Sequence, residues 1–398
     1  MKPKFYRKVL KNGMTVILEK RKLPIVSVAF AVRQGGVNEH EKEKGISHFI
    51  EHMLYKGTPT RGAKQIAEQI EKNGGELNGF TSEAVTAYWC KMPSKKLDVA
   101  LDVLSDMVKN PKFDEKELEK ERKVIFEEIK MYNDNPRLHV LDEIHKVLYE
   151  KPFGIPLIGT YKSMSSIERK KIIETFKRIY QPNKMILCVV GNADFGKLCK
   201  FVEENFGKEK GKIQKIKIKI KNKIKTEKRK GIDQANLIFA YHAPLANDKK
   251  SYAAYLLNLL MAGGMSSRLF AEIREKRNLA YSVKGDSNIN KDFAYNLVYV
   301  GTMKENVEKV KKIILEEFRK VSKSLTEKEL KETKEQAIGN YHIGMEDSQG
   351  QMVNLLSHEI EGNAKKYYDF EKNIKEVKLK DVKELAKKAK KKYSFFAL

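Results

Sequence analysis

The sequence predicts an α+β protein made of two homologous domains, each a mostly antiparallel sheet packed with helices. Three observations carry that expectation. The chain has 398 residues, too many for one ordinary core when a domain takes roughly 100–200. Two stretches repeat each other, NPKFDEKELEKERKVIFEEI from Asn110 and SKSLTEKELKETKEQAIGNY from Ser322, and setting Glu117 against Glu329 gives an offset of 212 residues. Upstream of each lies a strand-like run of aromatic and β-branched residues, AVTAYWCKM from Ala84 and AYNLVYVGTM from Ala294, at nearly the same offset.

Earlier in each copy, VSVAFAV from Val26 matches ANLIFAY from Ala235, and both are followed by a turn and then a helical pattern. Each half therefore reads strand, strand, helix, helix, strand, long helices, and the first adds a late strand, MILCVVGN from Met185. The boundary falls in the lysine-rich stretch Lys208 to Lys230, where KIKIKIK alternates with the period of a strand that has one wet face. That pattern predicts a linker followed or replaced by an edge strand protected by charge. The expected division is a domain over 1–207, a linker over 208–230 and a homologous domain over 231–398. Two copies of a scaffold need not share chemistry.

Composition narrows the function classes. With 41% hydrophobic and 33% charged residues the chain reads as globular and soluble. No apolar run approaches the roughly 18 residues of a membrane span, and the start, MKPKFYRKVLKNGMTVILEKR, has too short an apolar run for a signal peptide. Three scattered cysteines, Cys90, Cys188 and Cys199, make no disulfide framework and fit a reducing compartment, so the expected location is the cytoplasm. The net charge of +26 could attract polyanions or acidic peptides. Its lysines are spread over the whole chain without a basic-aromatic motif, so they read as a solvated surface, with neither a specific nucleic-acid partner nor a membrane.

The chemistry is concentrated in GISHFIEHMLYKGT, from Gly45. His48 and His52 are four apart, so on a helix their side chains share one face and two imidazoles can grip one ion. Glu51 lies beside that face, placed to act on a water at the metal rather than on the metal itself. Zinc lowers the pKa of such a water to about 7, and a carboxylate can take its proton and pass it to a leaving amine. This is the inverted form of the HExxH arrangement. A catalytic zinc needs a third protein ligand and an open position. Glu128, 76 residues after His52 on the helical run ELEKERKVIFEEIKMY, is the best candidate. Glu121, two turns earlier on the same face, could orient a histidine, whereas Glu127 is turned about 100° away. In the second half Asn340 stands opposite Glu128 and no HxxEH occurs, which predicts one zinc per chain.

These residues resemble the signature of the insulinase/pitrilysin family of zinc peptidases, in particular the branch of the mitochondrial processing peptidases and their single-type bacterial relatives. The resemblance spans nearly the whole chain, including the gap to Glu128, NGFTS from Asn78 and GGMSSRLFAEIREKRNLAYS from Gly263. It implies that His48, His52 and Glu128 bind zinc, that Glu51 is the general base and that Glu121 supports the site. It further implies that Asn78 and Gly79 hydrogen-bond substrate, with the strand through Val85 to Trp89 accepting a peptide by edge pairing. Arg274 and Tyr281 match the pair with which relatives complete the site, as donors to an oxyanion. In related dimers that pair comes from the partner subunit, so a homodimer enclosing a chamber is implied, acting on unfolded peptides or extended segments. Three positions depart from the family pattern: Ala84 replaces a usual Glu, and Ala262 and Asn278 replace glycines. Asn tolerates the left-handed backbone that a glycine there would adopt. The alternative within the same fold is a non-catalytic partner or scaffold subunit, but such relatives typically lose metal ligands that this chain keeps.

Overall fold

The computed structural model describes residues 3–212 and 216–398 and contains two helix-packed sheets. Strands form where β-branched and aromatic residues cluster. β1 Lys4–Val9, β2 Thr15–Lys20, β3 Ile25–Val32, β4 Glu76–Thr81, β5 Thr86–Pro93 and β6 Met185–Gly191 make the first sheet, in the order β1-β2-β6-β3-β5-β4. β7 Ile224–Thr226, β8 Gln234–His242, β9 Ala280–Ile289, β10 Ala294–Met303 and β11 Ser394–Ala397 make the second, in the order β7-β11-β8-β10-β9. Neighbours are antiparallel except for one parallel pair in each sheet, β2 with β6 and β7 with β11. Without β1 the two sheets have one topology: β2, β6, β3, β5 and β4 correspond in turn to β7, β11, β8, β10 and β9. The repeat seen in the EKEL segments thus extends to strand order and direction.

The helices of the first half are α1 Ile46–Leu54, α2 Ala63–Glu71, α3 Leu97–Lys109, α4 Glu115–Asp134, α5 Pro136–Leu148, α6 Tyr161–Ser166, α7 Arg169–Ile179 and α8 Phe195–Asn205. Those of the second are α9 Ser251–Ala262, α10 Val307–Ser324, α11 Glu327–Gly344, α12 Ser348–Ile360, α13 Phe370–Glu376 and α14 Leu379–Lys391. Two compact units result, residues 1–129, 157–216 and 344–367 in one, and 130–156, 217–343 and 368–398 in the other. The division expected from the repeat, 1–207 and 231–398 about a linker, is continuous along the chain. The units instead exchange one helix each: α5 packs on β8 and β11, and α12 packs on β3 and β6. Of the alternating lysine-isoleucine run, Lys215 lies outside the described residues, Ile220 makes an isolated bridge to Tyr149, and the edge strand forms further on as β7.

Helix α12 docks on the first sheet through both apolar and polar contacts. Met352, Leu355, Leu356 and Ile360 are buried. Between them, Glu359 has no exposed side-chain surface and accepts from Arg7 at 2.7 and 2.8 Å and from Arg33 at 2.8 Å. Gln351 donates to Glu19 at 2.6 Å, and Ser348 and Ser27 share a hydrogen bond of 3.0 Å. A buried carboxylate with two guanidinium partners fixes the helix in one register, because any slide would leave a charge unpaired.

One observation corrects an expectation from the sequence. The strand through Val85 to Trp89 cannot take a peptide by edge pairing, because β5 is hydrogen-bonded to β3 on one side and β4 on the other. The strand at the sheet margin is β4, which carries Asn78 and Gly79.

Candidate metal centre

Helix α1 begins at Gly45, whose φ of +93° is left-handed and favours glycine. The buried carboxylate of Glu39 accepts from the Gly45 and Ser47 amides at 3.0 and 2.8 Å, satisfying donors at the start of the helix. Ile46, Phe49, Ile50, Met53 and Leu54 bury the rest of α1, which leaves His48, Glu51 and His52 to converge. Helix α4 starts after Asp114, which accepts from the Lys116 and Glu117 amides. Leu118, Ile125 and Ile129 form its buried stripe, and Glu121, only 6% exposed, occupies a place in that stripe. A carboxylate in an apolar stripe needs partners, and it has two. His52 Nδ1 donates to Glu121 Oε2 at 3.0 Å, and the Lys56 ammonium pairs with Oε1 at 2.6 Å.

The acceptor-only carboxylate of Glu121 places the His52 proton on Nδ1 and turns the Nε2 lone pair inward. There His52 Nε2 lies 3.2 Å from His48 Nε2, and Glu128 Oε2 lies 3.5 Å from His48 Nε2 and 3.8 Å from His52 Nε2. Ligands arranged tetrahedrally on zinc at about 2.0–2.2 Å are separated by about 3.3–3.6 Å, and the three spacings, from 3.2 to 3.8 Å, bracket that separation. Glu128 Oε2 is buried without a hydrogen-bond partner, an arrangement costly for a carboxylate unless a cation completes it. Burial, with His52 beside it, lowers the His48 pKa to about 3, keeping the imidazole neutral as a ligand must be. Among the described residues, His48, His52 and Glu128 are the group of three able to hold a metal ion. Glu127, next to Glu128, is exposed.

Glu51 sits beside this cluster. Burial raises its pKa, against the hydrogen bond that Thr81 donates to Oε2 at 2.7 Å. For Glu121 the order is reversed: hydrogen bonds from His52 and Lys56 outweigh its burial and hold its pKa below the ordinary value. His52 shows the same contest, burial opposing its charge while Glu121, Glu51 and Glu128 raise its pKa overall. Gly79 lies under Glu51. A β-carbon there would stand 2.4 Å from the Tyr55 hydroxyl, 2.9 Å from the Ala87 carbonyl and 3.3 Å from Glu51 Oε1. Asn78 is exposed, and its side-chain oxygen accepts from the Gly79 amide at 2.8 Å.

Arg274 and Tyr281 belong to the second unit, where they meet each other. Arg274 lies on a π-helical turn, Phe270–Glu275; it donates to the Tyr281 carbonyl at 3.1 Å and stacks 5.0 Å from the Tyr281 ring centre. Tyr281 is 79% exposed. Between them Asn278 takes φ +53°, the left-handed conformation that its replacement of glycine requires, and Ala262 is simply the last residue of α9. Three residues near the metal cluster escape sequence reasoning: Lys56, Tyr55 and Thr81. Lys56 follows His52 by one helical turn, and Thr81 follows Gly79 by the two-residue period of a strand, so periodicity carried a signal for both.

Comparison with known proteins finds relatives of the whole chain. The family model described as Insulinase (Peptidase family M16) matches residues 15–161, and that described as Peptidase M16 inactive domain matches 166–337. The chain is 34% identical to a Bacillus subtilis protein named uncharacterized zinc protease YmxG, over 89% of this chain and 88% of that protein. It is 33% identical to a Rickettsia felis protein named uncharacterized zinc protease, over 87% and 85% of the two chains. A protease from Helicobacter pylori superposes with a TM-score of 0.92, at 22% identity over 100% and 99% of the two chains, a likeness of fold.

Proposed function

The chain belongs to the insulinase family of peptidases, and from that premise we propose that it is a zinc metalloendopeptidase cutting unfolded peptides or extended segments. The observation that carries the proposal is the meeting of His48 Nε2, His52 Nε2 and Glu128 Oε2 at 3.2, 3.5 and 3.8 Å. These three residues would hold the ion, with Glu121 orienting His52. When bound, zinc supplies a Lewis acid that makes water a nucleophile near neutral pH and polarises the scissile carbonyl. Glu51, whose burial raises its proton affinity, takes the proton of the attacking water and delivers it to the leaving amine. The open edge of β4 offers main-chain groups to an extended peptide, and sequence-tolerant binding follows from pairing backbone with backbone. Asn78 and Gly79 lie on that edge. A peptide must be unfolded to lie along it.

Arg274 and Tyr281 supply donors for the oxyanion, contributed in a homodimer by the partner copy, the dimer closing a chamber around the substrate. The family's description of the second domain as inactive accords with Asn340 standing opposite Glu128. Three free, buried cysteines and the absence of any helix long and apolar enough to cross a membrane among the described residues accord with a cytoplasmic site of action. The test is to digest a peptide library with the wild type and Glu51→Gln, with zinc measured on both. Retained zinc with lost cleavage in the variant supports the base assignment, and full cleavage refutes it. Mixing inactive Glu51→Gln with inactive Arg274→Ala then tests the shared site, which fails if exchanged dimers recover no activity.

A further inference from the structure

We propose that Thr81 is a positioning residue for Glu51, so that the strand which receives the substrate also sets the catalytic base. This deepens the peptidase reading and rests on it. Among the described residues the hydrogen bond made to the Glu51 carboxylate is the one Thr81 donates to Oε2 at 2.7 Å. The other oxygen, Oε1, accepts no hydrogen bond among the described residues and lies above Gly79, on the same side as the Tyr55 hydroxyl. One oxygen is thus tethered and the other is left without a donor, as a proton acceptor must be. Gly79 and Thr81 are two apart on β4 and so share the face towards α1.

Position within the strand gives the tether a second property. Among the described residues β4 pairs with β5 on one side only, and Thr81 is its last residue, opposite Thr86. The turn beyond it is closed by the Ser82 amide on the Val85 carbonyl at 2.8 Å. A peptide added along the free edge supplies the hydrogen bonds that β5 does not, and holds β4 on both sides. Thr81 then presents its hydroxyl to Glu51 from a strand fixed by the substrate itself. Misplacing a reacting group by about 1 Å costs about a hundredfold in rate. Loss of the tether should therefore be felt in turnover rather than in peptide binding.

The test compares the wild type with Thr81→Val, which keeps the shape and removes the hydroxyl, and Thr81→Ser, which keeps the hydroxyl. On a quenched peptide, Thr81→Val is expected to lose about tenfold or more in kcat with KM within about twofold of the wild type, and Thr81→Ser to recover most of the loss. Zinc content and melting temperature should match the wild type in both. Peptide affinity, measured by anisotropy in the inactive Glu51→Gln background, should be the same with and without Thr81→Val. A Thr81→Val enzyme with near wild-type kcat overturns the proposal. So does a Thr81→Ser enzyme as impaired as the valine variant, loss of zinc from Thr81→Val, or a collapse of peptide affinity. Glu51→Gln with full activity would instead overturn the base assignment, a separate result.

Discussion

Glu121 touches no substrate in this scheme, yet its removal should be visible in the metal affinity. It accepts from His52 Nδ1 at 3.0 Å and pairs with Lys56 at 2.6 Å. Deleting the carboxylate in Glu121→Ala leaves His52 without its tautomer-setting partner and Lys56 without a counter-charge. Losses of this kind weaken metal binding about 10–100-fold, or about 1.4–2.7 kcal/mol. Glu121→Gln should do less, below about tenfold, because the amide oxygen still accepts from His52, although Lys56 loses its counter-charge there too. The assay is competition of zinc between the apo-protein and a chromogenic chelator at neutral pH, with circular dichroism to confirm folding. An alanine variant that binds zinc within twofold of the wild type would show that the orientation of His52 is set elsewhere, and the argument would fall.

Other expectations follow from particular contacts. Gly79→Ala forces a β-carbon to 2.9 Å from the Ala87 carbonyl and 2.4 Å from the Tyr55 hydroxyl, which should cost about 1–3 kcal/mol in urea unfolding; adding Tyr55→Phe should recover only part, since the backbone contact stays. Glu359→Ala strands Arg7 and Arg33 against a buried gap, and a loss of about 3–5 kcal/mol with faster proteolysis around α12 is expected; unchanged proteolysis would argue against that docking. Despite burial, hydrogen bonds from Asn110, Thr58, Arg61 and Thr60 hold the Asp106 pKa at about 2, against 3.8 ordinarily. Its stabilisation is therefore full above about pH 4 and lost as pH falls towards 2, about 2 kcal/mol in all. Urea melts of the wild type and Asp106→Asn at neutral and acid pH check this: the variant should lose less on acidification.

Much of this was legible in the sequence, and the gaps have physical causes. His48, His52 and Glu128 could be found because helical periodicity states which side chains share a face, and the ion's need for a third ligand directs attention to α4. The duplication was legible because α4 and α11 both kept EKEL at their starts, and the strands ahead of them kept their aromatic and β-branched character. Strand adjacency was not: nothing in AVTAYWCKM tells that β5 has partners on both sides, whereas the NGFTS segment turns out to form the margin. The exchange of α5 and α12 was equally hidden. An amphipathic helix records that it has a buried face but not which sheet covers it. Thr81 was missed because a threonine in a strand is ordinary by composition, and its meaning comes only from where Glu51 lies.

The exchanged helices impose an order on synthesis. Helix α5 leaves the ribosome early, yet the strands it covers, β8 and β11, include Ser394–Ala397, which sit between β7 and β8 rather than at a margin. The part of its apolar face that β11 covers must therefore wait through the translation of more than half the protein. A nascent chain arrested before Ser394 would carry that part of the face without the strand that covers it, so unfinished molecules differ from finished ones in the apolar surface they expose.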